Sequence, residues 1–171
     1  GNVSVSFGKN PDQLNTSIYD ILIDGIPPEY AIFKAHKNIN VDILPSNEEF
    51  SFFEFDVLTN TQKYRQPFHL LRNNLKSLEG QYDYILIDTP PNLGLVQGNV
   101  LSYAHEVIIP FQPEPYAMRS LIKMLKSIPE FKEKHNPKLE ILGVLGVLID
   151  GRTSVHSEIL QECRKYCDKN S

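Results

Sequence analysis

The chain has 171 residues, 41% of them hydrophobic and 22% charged, and a formal net charge of −4. That composition excludes an intrinsically disordered chain, and no apolar run approaches the roughly 20 residues needed to cross a bilayer. The modest negative charge supplies no global attraction to nucleic acid, so any DNA contact has to come from a local patch.

Residues 1–15 are polar and lack the features of a signal peptide. The first residue is Gly1 rather than Met, so a preceding segment is expected to have been removed unless Gly1 is a cloning scar. A short helix is predicted over Thr16–Asp24. Thr16 or Ser17 caps it, Ile18, Ile21 and Leu22 form its apolar face, and Gly25 stops it. Val41–Leu44 is a short strand closed by Pro45. Ser46 or Asn47 then caps a helix reaching Leu58, with Glu48 and Glu49 in its favourable first turn. Tyr64–Leu78 has Phe68, Leu71, Leu75 and Leu78 at helical spacing and is predicted as one longer helix.

The pattern then changes. Tyr84–Ile87, Val107–Ile109 and Leu139–Leu148 are continuous apolar runs rich in β-formers, as in parallel strands covered on both faces. Helical stretches lie between and after them at Gly98–Ala104, Tyr116–Lys134 and Ser154–Lys169, with Pro129 expected to kink or end the second. With no linker or repeat dividing the chain, this rhythm predicts one α/β domain over residues 1–171, a doubly wound, mostly parallel sheet flanked by helices.

Tyr82-Asp83-Tyr84-Ile85-Leu86-Ile87-Asp88-Thr89-Pro90-Pro91 is the segment richest in chemistry. An apolar strand ending in Asp88 puts a carboxylate at the carboxyl end of a parallel sheet, where α/β proteins bind ligands. There it can hold Mg2+ directly or through water. Thr89 adds a hydroxyl, and Pro90 and Pro91 stiffen the turn. The bland alternative is an aspartate that merely caps a turn.

This segment resembles the Walker B region of the ParA/Soj family of deviant Walker A partition ATPases. Asn92-Leu93-Gly94-Leu95, Asn99-Val100-Leu101, the run Val107 to Met118, Asn136 to Leu139, Leu142-Gly143-Val144 and Asp150-Gly151-Arg152-Thr153 continue the resemblance in order. Gly1-Asn2 resembles the end of the family's first switch, and Ile43-Leu44-Pro45-Ser46 a following strand end. The resemblance implies a P-loop-type fold and an ATP-dependent plasmid or chromosome partition switch. ATP and Mg2+ would be its cofactors. A homodimer, non-specific DNA and a ParB-type protein would be its partners, without a membrane. Its place would be cytoplasmic and nucleoid-associated. Asp88 matches the metal-holding aspartate, Thr89 and Pro90 the switch that senses the γ-phosphate, and Arg152 a DNA-contacting basic position.

No Gly-rich stretch ending in Lys-Thr occurs in the 171 residues, nor does the first-switch aspartate or the family's carboxyl-terminal region. The chain by itself is therefore expected to have no catalytic residue and neither to bind ATP tightly nor to hydrolyse it. The family's first strand would also be missing, and the gap is expected to be filled by self-association, rearrangement or further residues. A MinD-like cell-division regulator and a non-enzymatic scaffold that has lost the nucleotide site stay open as alternatives. The basic stretch Arg119–Lys138 is read mainly as a solvated face and Phe50, Phe52, Phe53 and Phe55 as core. Cys163 and Cys167 are read as reduced thiols, and the five histidines suggest no metal site.

Overall fold

The structure, a computed structural model, describes residues 2–90 and 94–170, with the backbone alone at Asp12. Two compact units make it up, Gly1–Tyr103 and Ala104–Ser171. Among the described residues no helix is long and apolar enough to cross a membrane.

The first unit opens with α1 (Asn2–Ser6), a turn that the polar sequence did not announce. Helix α2 (Ile18–Asp24) follows the sequence closely. Ser17 Oγ accepts from Tyr19 N at 3.1 Å, while Ser17 N donates to Asp20 Oδ2 at 2.7 Å, so each side chain satisfies an amide the helix start leaves open. Gly25 closes the helix at φ 72°, a left-handed conformation glycine adopts without steric cost.

The strand expected at Val41–Leu44 is shorter: β1 (Phe33–Lys34) pairs antiparallel with β2 (Asp42–Ile43). Beyond it, a 3-10 turn over Glu48–Phe52 leads into α3 (Phe53–Thr59). The single helix expected over Tyr64–Leu78 is broken into a 3-10 turn at Pro67–His69, α4 (Leu70–Asn74) and a second 3-10 turn at Lys76–Leu78. Pro67 cannot donate a helical hydrogen bond, which suits it to a first turn and not to a helix interior. The apolar spacing still finds its purpose, since Leu71, Leu75 and Leu78 are buried. With Ile21, Leu22, Phe53, Val57 and Leu95 they form the core of this unit. Helix α5 (Leu95–Tyr103) is tied to α4 by Asn99, whose Oδ1 accepts from Leu71 N at 3.0 Å and whose Nδ2 donates to Pro67 O at 2.7 Å.

In the second unit β3 (Glu106–Phe111) and β4 (Glu140–Gly146) pair in parallel, joined through α6 (Ala117–His135) and followed by α7 (Ser154–Asn170). The register slips by one where Val107 faces Ile141 and Ile108 faces Gly143, leaving Leu142 as the extra residue of a bulge. Pro129 does not end α6, which continues to His135. Met118, Leu121 and Ile128 line its buried face while Arg119, Lys123, Lys126 and Lys134 are exposed, as expected of an amphipathic helix. Cys163 is buried and Cys167 half-buried, both reduced, and burial pushes the Cys163 thiol up to about 11.

Candidate functional site

Tyr84–Ile87 corrects one expectation. The run joins no ladder among the described residues, and Tyr84 and Leu86 are 86% and 94% exposed. A strand is defined by its neighbours, and no described strand lies alongside this run to accept its backbone hydrogen bonds. The apolar composition is therefore present without the sheet it anticipates. Ile87 alone of the four packs against the core of the first unit. It anchors the segment that carries three of the predicted site residues, Asp88, Thr89 and Pro90.

Asp88 lies next to that anchor with an exposed carboxylate, Thr89 is half-buried and Pro90 exposed. Pro91, Asn92, Leu93 and Gly1, which belong to the motifs read from the sequence, lie outside the described residues. Two side-chain contacts flank this segment. Upstream, Tyr82 donates its hydroxyl to Asp42 Oδ2 at 2.9 Å. Asp42 is also paired to Lys34 across the β1–β2 hairpin at 2.8 Å. The Lys34 ammonium, assisted by Tyr82, holds the Asp42 carboxyl below the usual carboxylate range against the cost of its burial. Downstream, Glu54 Oε1 accepts from Val96 N at 3.3 Å, at the start of α5. Sequence reasoning missed Asp42, Tyr82 and Glu54 as residues whose contacts flank this segment. Their partners lie about 40 residues away, and no local spacing announces such a contact.

Arg152 belongs to the second unit, in the turn between β4 and α7. Its guanidinium is a two-pronged donor to Asp150, Nε to Oδ1 at 2.9 Å and NH2 to Oδ2 at 2.8 Å. The side chain is 90% exposed. That charge lowers the Asp150 carboxyl. The Asp150 amide in turn donates to His156 Nδ1 at 3.0 Å, fixing the turn to α7. Arg152 is thus presented to solvent on a built turn, with a carboxylate occupying the fork that a phosphate would otherwise engage.

Asp88 and Thr89 offer hard oxygen donors of the kind Mg2+ prefers, while among the described residues no three His, Cys, Asp or Glu side chains gather to hold a metal ion. A Gly-rich stretch ending in Lys-Thr, the sequence that forms a phosphate cradle of backbone amides and lysine, does not occur in the 171 residues.

The family model described as an AAA domain matches residues 1–141. A ParA family protein of Mycoplasma pneumoniae is 31% identical across 100% of this chain and 64% of its own length. The sporulation initiation inhibitor protein Soj of Bacillus subtilis is 31% identical over 97% of this chain and 64% of its length. The chain thus spans just under two thirds of the curated relatives it matches. Among solved structures, cobyrinic acid a,c-diamide synthase of Mycobacterium smegmatis with a bound ATP analog and magnesium is 30% identical. It superposes with a TM-score of 0.84, covering 95% of this chain and 62% of that one. A plasmid partition protein of Borrelia burgdorferi, 24% identical, shares the fold at a TM-score of 0.65 over 97% of this chain and 80% of its own. The α/β class read from the sequence is the class of these folds, and the chain belongs to the ParA/Soj family, within the AAA domain matched over residues 1–141.

Proposed function

We propose that this chain is part of an ATP-dependent switch for plasmid or chromosome partition. The observation that carries the reading is the Asp88–Pro90 segment, exposed at Asp88 directly after the core-packed Ile87, in a chain 31% identical to Soj. In the full-length protein, Asp88 would hold Mg2+ through water, and Thr89 and Pro90 would form the part of the segment that senses the γ-phosphate. Bound Mg2+ neutralises charge on the phosphate oxygens during phosphoryl transfer. Arg152 contributes to binding DNA backbone without sequence preference. Nucleotide-dependent homodimerisation, a ParB-type partner that stimulates hydrolysis, and a cytoplasmic, nucleoid-associated location complete the proposal.

Two measurements test it. The full-length protein should hydrolyse ATP in a Mg2+-dependent way, and Asp88→Asn should lower that rate roughly a hundredfold or more, because it removes a fixed charge from the metal's position. The 171-residue chain by itself should release no phosphate from ATP above a protein-free blank. Full activity in Asp88→Asn, or turnover by the 171-residue chain, would defeat the assignment.

A further inference from the structure

The backbone of the turn that presents Arg152 is held by groups other than the arginine. The Asp150 amide donates to His156 Nδ1 at 3.0 Å. The Asp150 carbonyl accepts from Thr153 Oγ1 at 3.1 Å and from Thr153 N at 3.3 Å. These bonds tie the turn to the start of α7, and none of them uses the Asp150 carboxylate.

The carboxylate's acceptors go to Arg152 instead. Oδ1 accepts from Arg152 N at 3.0 Å and from Nε at 2.9 Å, and Oδ2 accepts from Nη2 at 2.8 Å. A guanidinium takes a phosphate through the same two-pronged contact, so the edge best matched to two anionic oxygens is already filled. The charge is met as well. Arg152 holds the Asp150 carboxyl below the usual carboxylate range, and the pair is neutral as a unit at neutral pH. A phosphate arriving at Arg152 has either to displace Asp150 or to sit beside a second negative charge.

We propose that Asp150 masks Arg152: its carboxylate stands in for a phosphate, lowers the affinity of this position for a DNA backbone, and is displaced when Arg152 engages one. The proposal rests on the reading of Arg152 as a DNA contact and adds the regulation of that contact. The Arg152 side chain is 90% exposed, so the pair is weak and exchanges readily with a competing anion. The mask therefore tunes binding by a few-fold and does not forbid it.

Asp150→Asn removes the charge while keeping a side-chain oxygen for the Arg152 amide, and the backbone bonds to His156 and Thr153 stay. Hydrogen exchange on the full-length protein should therefore show unchanged rates at 150–153 in this variant. Fluorescence anisotropy with labelled duplexes of two unrelated sequences, in ATP and Mg2+, then reads the mask. Asp150→Asn should tighten binding about two- to fivefold at low salt, equally for both duplexes, with the gain shrinking as salt rises. A double-mutant cycle with Arg152→Ala separates masking from the general effect of losing a negative charge. Masking requires Arg152→Ala to cost more affinity in the Asp150→Asn background than in the wild type, because only there does the arginine start unpaired. An equal cost in the two backgrounds overturns the proposal. So does a smaller cost, which would make Asp150 a support for Arg152, and so does faster exchange at 150–153 in Asp150→Asn. If Arg152→Ala changes nothing in either background, or if neither the wild type nor Asp150→Asn binds DNA, the DNA reading of Arg152 fails and the mask fails with it.

Discussion

The two units solve the problem of burial differently. In the first, short helices and turns enclose a core of their own, with Phe53 and Ile21 wholly buried and side chains accepting from the amides that open α2 and α4. The second is a parallel β-pair whose faces are treated unequally: Ile109 and Phe111 are buried, whereas Ile108, Leu142 and Leu145 are each more than half exposed. Parallel strands ordinarily bury both faces. Their charges differ as well. Of the 17 basic and 21 acidic residues, seven and twelve fall within residues 1–103, and ten and nine within 104–171. The acidic unit carries Asp88, and the nearly neutral one carries the exposed arginine and the basic face of α6. Burial and charge in this chain are therefore distributed by unit, which its overall composition conceals.

The sharpest way to break this comparison is to truncate matched apolar residues. Phe53→Ala should cost about 3–5 kcal/mol by urea unfolding, a large-to-small change in a closed core. Leu142→Ala, on the open side of the β-pair, should change stability by less than about 1 kcal/mol. Comparable losses at the two positions would show that the exposed face is covered in solution.

A smaller effect is expected from the charge asymmetry. In the full-length protein Arg152→Ala should weaken binding to duplex DNA about three- to tenfold, equally for unrelated sequences, and lower the salt dependence by about one unit of slope. An equal loss from removing an exposed basic residue of the first unit, such as Lys76→Ala, would erase the distinction between the units.

The smallest effect concerns pH. The Asp42 carboxyl is held low by Lys34 and Tyr82, so its contribution is present above the unfolded value near 3.8 and is lost as the pH falls through the lower folded value. Asp42→Asn should flatten the decline of the urea midpoint in that acid window and leave its slope between pH 5 and 7 unchanged. A decline as steep as the wild type's would place the acid sensitivity elsewhere.

Much of the fold was legible before the structure. Ser17 and Gly25 determine the ends of α2 within a few residues, because capping is a local reaction between neighbouring groups. The apolar runs at Val107–Ile109 and Leu139–Leu148 became β3 and β4. Two readings failed in the same way. Tyr64–Leu78 has the period of one helix, but Pro67 and the contacts of Asn99 cut it into three pieces. Tyr84–Ile87 has the composition of an inner strand, yet composition supplies no partner strand. At the candidate site, Asp88, Thr89, Pro90 and Arg152 were named from the sequence. Asp42, Tyr82 and Glu54 were not, because each acts through a residue about 40 positions distant.

Local order and family membership were thus fixed in part by the sequence alone: where α2 and α7 start and stop, which runs favour strands, and which motifs follow one another. Caps, turns and apolar periods act between residues a few positions apart, so the chain displays them directly. Only the tertiary structure decided which carboxylate closes α5, which hydroxyl steadies the start of the Asp88 segment, and which faces of β3 and β4 are covered. Those outcomes depend on side chains brought together from distant positions, and on hydrogen bonds that need a partner the sequence does not place beside them.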